Sequence, residues 1–542
     1  MSALHNPQAN LSSKDWPMPS PASASWLRPV LTVIALLALY CTSLAAYRVV
    51  FHPLAKVPGP KLYAATWLPF LYQTNIEATA PKKIAAMHRK YGPIVRVSPG
   101  QIALDGSIGW STVFSHATNG NPEFSKPFEQ YFPGDGTSLI GAPKERHRRI
   151  RRQLAHAFSA SALAEQEVTV TQYVDMLLDR FRDLEGEGQP FDIIPWLNFT
   201  TFDIIGDLAF SDSFGSLANN AYHPWVLSIF QGVRGNALRR FFRHYPSLGF
   251  IARRLGLAND FIVGEWNRHT AREKAGERMK TGANGPAGRQ DFMTYMLRKT
   301  RNGETAMDDE EILSTSPILV VAGSETTATA LAGLFFFLSQ NPQKCEILVH
   351  EILKAYPRES DIDMRSTGEL QYLHAALEET LRLYPPVLVT PPRLSPGAEL
   401  GGYYIPKDTL ISVHQWATFR NPDNFFLPDQ FIPERWLSPS HPRYDGRFAG
   451  DNRAVFKPFS HGPRDCIGKN LAYAEMRLLA ARILHEFEFT IQGQSDWQAK
   501  QRMFGLWEKA PLMVQIKSRN SGQQVLDSKV QHSDSDRLGS RV

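Results

Sequence analysis

Phe459-Ser460-His461-Gly462-Pro463-Arg464-Asp465-Cys466-Ile467-Gly468 is the stretch on which the fold of this chain turns. It leads into Leu471, Ala474, Leu478 and Ile483, spaced as one apolar face of a helix. Cys466 therefore stands on a Gly- and Pro-bearing loop just where a helix begins. A helix N-terminus offers free amides and partial positive charge, which favour a thiolate over a thiol. Gly462 and Gly468 leave room for a flat group to approach the backbone. Arg464 presents a planar fork suited to a carboxylate. A lone thiolate beside such an arginine suits a haem, with sulfur on iron and arginine on a propionate. The competing reading is an ordinary buried cysteine, which is how Cys345 reads.

The surrounding chain has 542 residues, 43% of them hydrophobic and 21% charged. Those proportions belong to a packed globular protein, so disorder and fibrous repeats are excluded for the bulk of it. A net charge of +6 is modest for this length and demands no nucleic acid. With only three cysteines, a disulfide scaffold and a zinc site built on paired cysteines are both excluded. The sparse count suits a reducing compartment.

No charged residue occurs between Arg28 and Arg48, and a helix over that stretch would be roughly 28 Å long, close to a bilayer core. A polar, Pro- and Ser-rich segment (1–28) precedes it, which favours a retained anchor (29–50) over a cleaved signal or a buried core helix. Arg48, Lys56 and Lys61 follow the span, so the C-terminal body is expected on the cytoplasmic side. Of the acceptor sequons at Asn10 and Asn198, only Asn10 would then face the lumen and carry a glycan. Pro53, Pro58 and Pro60 cannot continue the helix, and 51–61 reads as a semi-rigid hinge. A catalytic domain (62–518) and a polar, Ser-rich, disordered tail (519–542) complete the organisation.

Ile94–Val97 and Ile102–Leu104 flank Ser98-Pro99-Gly100 as a hairpin, and a second hairpin is expected to turn at Pro406-Lys407-Asp408. Helical periodicity dominates from about Glu145 to Tyr384. Ile318 to Leu338 is apolar enough for a second span. Glu325, however, would sit mid-bilayer at a cost of roughly 2.5 kcal/mol or more, so a helix at the centre of a soluble body is the better reading. The expected class is mainly α with small β-sheets.

Taken together, these residues resemble the cytochrome P-450 family. Phe459, Gly462, Arg464, Cys466 and Gly468 match its haem-binding signature. Ala322-Gly323-Ser324-Glu325-Thr326-Thr327 resembles its oxygen-activating segment, Glu379-Thr380-Leu381-Arg382 its Glu-x-x-Arg pair, and Phe431-Ile432-Pro433-Glu434-Arg435-Trp436 its Pro-Glu-Arg segment. The run Phe199–Phe210 looks like fungal microsomal members, often enzymes of secondary metabolism.

The resemblance implies a cytochrome P-450 fold behind a single N-terminal transmembrane helix, and haem b with Cys466 as its axial ligand. Arg464, Arg151 and Arg393 would meet the propionates, His147 would stand where many relatives have Trp, and Phe459 would line the cofactor. Glu379, Arg382 and Arg435 would form a buried triad that pins the loop of Cys466. The other basic residues of His147–Arg152 would help dock an acidic electron donor. Cleavage of dioxygen needs two protons inside an apolar pocket, and a hydroxyl beside a carboxylate, Thr326 with Glu325, can relay them. The bland alternative is a back-bonded helix threonine. Substrate contacts are expected from Asp105–Pro133, Phe230–Leu248, Ile318–Ala322, Val387–Thr390 and Phe504–Trp507, which are partly apolar.

The function this implies is insertion of one oxygen atom from dioxygen, as hydroxyl or epoxide, into an apolar small molecule. Electrons would come from NADPH through a cytochrome P-450 reductase, with cytochrome b5 as an optional second donor, at the endoplasmic reticulum membrane. Oxidative coupling, ring closure or rearrangement without oxygen insertion is the alternative among enzymes. A haem-binding sensor is the alternative outside them. A multi-span transporter fails on Glu325 and on the shortage of other apolar runs.

Overall fold

The longest element, helix Asp309–Gln340, starts where a capping box dictates. The Asp308 carboxylate accepts the Glu311 N–H at 2.8 Å, and the Glu311 carboxylate accepts the Asp308 N–H at 3.0 Å. Asp309, Glu310 and Glu311 in the first turn complement the helix dipole. From Ala328 to Leu338 every residue is buried, so this apolar helix is a core element inside the protein and not a second span. Its nearest partner is helix Ile193–Phe210, which is buried along almost its whole length. Close approach is possible because Gly323 lacks a side chain: a Cβ there would lie 2.6 Å from Ile205.

The computed structural model describes residues 27–519, apart from 117–122, 129–134, 255–262, 286–287, 300–301, 304 and 494. Asn10, the polar segment before the apolar helix and the tail from 520 onward lie outside the described residues. Helices also cover Lys144–Leu154, Ala160–Glu187, Pro224–His244, Gln371–Leu383 and Lys469–Glu486, and the architecture is mainly α.

Strands are short and numbered here β1 to β11. β1 (Ile94–Ser98) and β2 (Gln101–Leu104) form the expected hairpin, and β7 (Leu410–Val413) joins β2 in parallel. β4 (Arg393–Leu394) closes that sheet, in the order β1-β2-β7-β4. The second hairpin differs from expectation. β6 (Tyr403–Ile405) pairs with β5 (Ala398–Leu400), and the turn is Gly401-Gly402 rather than Pro406-Lys407-Asp408. Both glycines have positive φ, +52° and +84°, which a two-residue hairpin turn of this kind requires. A three-stranded sheet joins β3 (Phe191–Asp192), β11 (Met513–Ser518) and β8 (Phe487–Ile491), and β9 (Arg502–Met503) pairs with β10 (Trp507–Glu508).

The apolar helix begins at Leu27, two residues ahead of expectation, and runs to Ala46, then as a wider turn to Phe51. It is exposed on nearly all sides and long enough to span a bilayer. The proline segment after it, read as a semi-rigid hinge, packs against the body. Leu54 and Val57 are buried in the core. The Arg96 N–H donates to the Pro58 carbonyl at 2.8 Å. The buried Arg96 guanidinium donates to the Arg48 carbonyl at 2.8 Å and to the Pro99 carbonyl at 2.9 Å.

Candidate active site

Helix Lys469–Glu486 and the loop before it place Cys466 on the wall of an internal cavity of about 330 Å³. The Cys466 N–H donates to the Phe459 carbonyl at 2.9 Å, which folds the loop back on itself. Gly462 is needed for a different reason than clearance for a flat group. Its φ is +79°, and a Cβ would fall 1.9 Å from the Phe114 carbonyl oxygen, so only glycine fits where the loop crosses that backbone. Gly468 does line the cavity. The Cys466 side chain is open to the cavity although it lies deep in the fold. Burial pushes its thiol up, against the lowering effect of the Gly468 N–H. The helix start alone therefore does not produce a thiolate here; a bound cation at the sulfur would.

Basic groups gather on one side of the cavity. His147 and Arg151, four apart on helix Lys144–Leu154, lie on its inner face with Ile150 and Leu154, and both reach the cavity wall along with Lys126 and Arg464. Arg393 lies just behind, with its guanidinium 5.0 Å from the centre of the Phe114 ring. These cations depress one another. Burial and the neighbouring charges hold Lys126 at about 6, His147 at about 3, and Arg393 and Arg464 at about 10. Arg464 donates to the Ala142 carbonyl at 3.1 Å, and Arg151 to the Asp465 carbonyl at 2.6 Å and to its carboxylate. One guanidinium nitrogen each of Arg393 and Arg464 is buried with no hydrogen-bond partner among the described residues. Orphaned donors in a crowd of cations are what a dianion would satisfy. With a sulfur ligand on the same wall, the residues fit a haem and its two propionates.

Of the remaining basic residues on that helix, Arg146 and Arg149 are committed to Glu311 at the start of the central helix. Lys144 pairs with Glu123, and Arg148 and Arg152 are exposed.

The triad assembles as expected and is fully buried. Arg382 grips Glu379 with two parallel bonds of 2.8 Å, and Arg435 adds a third at 3.1 Å. The Ile432 N–H and the Trp436 indole N–H also donate to the same carboxylate, at 2.9 and 2.8 Å. Burial pushes the Glu379 carboxyl up, but Arg382 and Arg435 outweigh it and hold the group below its usual range. Sequence reading missed a fourth member, Asp451, which pairs with Arg435 and accepts the Phe426 N–H at 2.8 Å. The network pins residues 419–452. The direct hold on the Cys466 loop is Gln415, whose amide donates to the carbonyls of Lys457 and Pro458 at 2.8 and 3.3 Å.

Thr326 and Glu325 separate. Thr326 lines the cavity, and its hydroxyl donates to the Ala322 carbonyl at 2.6 Å, leaving its lone pairs toward the space. Glu325 does not line the cavity; it is buried against Lys509. Among the described residues two acidic ones line the cavity: Asp465, paired with Arg151, and Glu475, which sequence reading did not single out and which burial pushes up to about 8. Lining comes from three of the expected segments, through Lys126, through Ile318, Leu319 and Ala322, and through Val387 and Thr390, and also from Ile205 and Phe292, which were not expected. Described residues of 230–248 and 504–507 do not reach this cavity. Asn198 is buried and donates to the Tyr222 hydroxyl at 3.0 Å, which closes it to glycosylation.

The cytochrome P450 family model matches residues 58–516. The chain is 38% identical over 493 residues to the cytochrome P450 monooxygenase aclL of Aspergillus oryzae, covering 90% of this chain and 98% of that one. It is 38% identical over 487 residues to the trichothecene C-15 hydroxylase of Fusarium sporotrichioides, covering 88% and 96%. With the averantin hydroxylase of Aspergillus parasiticus the identity is 36% over 503 residues, covering 91% and 98%.

Proposed function

The chain belongs to the cytochrome P450 family, and on that premise we propose that it is a membrane-anchored haem-thiolate monooxygenase that hydroxylates an apolar small molecule of fungal secondary metabolism. The observation that carries this reading is Cys466 on the wall of the same cavity as Thr326, with one buried guanidinium nitrogen each of Arg464 and Arg393 without a partner among the described residues. Relatives named as hydroxylases favour hydroxyl insertion over coupling. Haem b bound there supplies dioxygen activation at iron, with electrons from NADPH through a cytochrome P-450 reductase or cytochrome b5. Arg464, Arg393 and Arg151 would hold the propionates, with His147 neutral between them, and Cys466 would hold the iron.

The chain's own residues then do three things. Ile318, Leu319, Ala322 and Val387 exclude water and offer an apolar surface to the substrate. Thr326 holds a hydroxyl in the cavity, able to accept and pass on a proton. Glu325, next to it in the chain, faces Lys509 and would recharge that hydroxyl only on turning toward the cavity. The apolar helix Leu27–Phe51 would anchor the protein in the endoplasmic reticulum membrane with the body cytoplasmic. Reduced protein treated with carbon monoxide should show the strongly red-shifted Soret band of thiolate ligation, and Cys466→Ala should lose it. A variant spectrum equal to that of the unaltered protein would rule out the ligand assignment.

A further inference from the structure

Arg393 and Arg464 are steadied by aromatic rings and not by carboxylates. The guanidinium carbon of Arg393 stands 5.0 Å from the centre of the Phe114 ring, and that of Arg464 stands 5.9 Å from the centre of the Phe128 ring. Both lie within the roughly 6 Å at which a ring face attracts a cation. Among the described residues neither guanidinium forms an ion pair: Glu123, the carboxylate whose charge reaches both, pairs with Lys144 instead. A carboxylate would occupy guanidinium N–H groups, whereas a ring face steadies the charge and occupies none. One nitrogen of each arginine accordingly stays buried and unpartnered among the described residues.

Phe114 is itself fixed from two sides. It closes the turn Trp110–Phe114, is 2% exposed, and meets the Trp110 ring edge to face with centroids 5.4 Å apart. The Trp110 indole N–H is anchored in turn on the Val455 carbonyl at 2.7 Å. The Phe114 carbonyl is the group that Gly462 passes with no room for a side chain. One residue thus meets the Cys466 loop through its main chain and Arg393 through its ring. The stretch that carries Phe128 is tied to the strand of Arg393, because the Leu394 N–H donates to the Ser125 carbonyl at 2.7 Å.

Resting on the haem-thiolate reading, we infer that Phe114 and Phe128 are positioning residues of the cofactor site: their ring faces hold Arg393 and Arg464 with N–H groups free for the propionates, and so keep two positive charges at the haem edge. Fixed positive charge near the iron favours the form that carries one more electron, the ferrous one. An aliphatic side chain of similar bulk in place of a ring fills the space but gives up the hold on the cation. The arginine is then free to turn from the propionate, and the ferrous form becomes harder to reach. Neither ring is among the groups that line the cavity, so the effect runs through the arginines.

The test is a reductive titration of the full-length, haem-loaded protein without substrate. It reads the ferrous-to-ferric ratio at a fixed ambient potential, with the melting temperature and the reduced carbon monoxide spectrum alongside. Phe114→Leu should lower that ratio at least threefold, which is about 28 mV at roughly 59 mV per tenfold for one electron. Phe128→Leu should lower it at least twofold. Phe114→Tyr, which keeps a ring, should leave it close to that of the unaltered protein. Arg393→Met should lower the ratio by itself, and Phe114→Leu added to it should lower it no further. An unaltered ratio in either leucine variant, whatever happens to the melting temperature, would overturn the inference. So would a tyrosine variant that shifts like the leucine one, or a full threefold loss that survives in the Arg393→Met background. If Phe114→Leu takes up no haem, Phe128→Leu, whose ring is half-buried, decides alone. Absence of the red-shifted band in the unaltered protein would instead bring down the haem-thiolate reading itself, and this inference with it.

Discussion

Glu325 and Thr326 are neighbours in the chain and serve different sides of the central helix: the carboxylate is buried on Lys509, and the hydroxyl lines the cavity. Adjacent positions point roughly 100° apart around a helix of 3.6 residues per turn, and of the two only Thr326 lines the cavity.

Thr326→Ala should keep the thiolate spectrum and melt close to the unaltered protein, because among the described residues its hydroxyl is bonded only to the Ala322 carbonyl of its own helix. The fraction of dioxygen released as hydrogen peroxide should rise severalfold. Thr326→Ser should raise it less. An alanine variant with an unaltered peroxide fraction would leave Thr326 a structural residue.

The triad should behave as a buried charge network. Arg382→Met leaves the Glu379 carboxylate with fewer donors in a site from which water is excluded, at a cost of about 3–5 kcal/mol. Thermal melts of the haem-loaded protein should fall accordingly, with loss of haem on purification. Arg447→Met, which breaks an ion pair at the surface, should leave the melt where it was.

Gly462→Ala should be among the most damaging single-methyl changes in the chain. It combines a left-handed backbone, worth roughly 1–3 kcal/mol of strain, with a methyl group driven into the Phe114 carbonyl. Haem incorporation, read as absorbance at the Soret band per protein, should drop steeply. Gly450→Ala, with open space around it, serves as the comparison and should be silent.

Glu475 makes a pH prediction. Burial raises its carboxyl to about 8 in the folded protein, so the unfolded chain gives up this proton first as pH rises. Stability from this group is complete below the ordinary glutamate range near 4.5, shrinks as pH climbs toward about 8, and is flat above. Glu475→Gln should remove that slope and melt higher than the unaltered protein at pH 8. Parallel stability curves for the two proteins across pH 5–8 would contradict it.

What could be read in the sequence was chemistry that stays close along the chain. The Cys466 loop, the Glu379–Arg382 pair and the β1–β2 turn each involve residues within a few positions of one another, where spacing dictates geometry. Long-range compensation of buried charge was not legible. Lys509 finds Glu325 across 184 positions, and Asp451 finds Arg435 only because the segment between them folds back. Nothing in their local pattern separates them from solvated surface charges. The second hairpin was misplaced for a simpler reason: Gly401-Gly402, which can adopt positive φ at both turn positions, is a stronger hairpin signal than a proline followed by Lys-Asp. Glu475 was hidden by its neighbours, an ordinary glutamate between alanine and methionine in a helix, until the cavity gave it a side.

Arg96 makes the apolar N-terminal helix a mast stepped into a hull, not a mooring line. Its guanidinium holds the Arg48 carbonyl in the last turn of that helix, while Leu54 and Val57 are seated in the core. Were that helix set in a bilayer, these contacts would restrict the lean of the body on it. A water-soluble version cut at the prolines would strip one of two acceptors from a buried guanidinium, so its new terminus belongs ahead of Arg48.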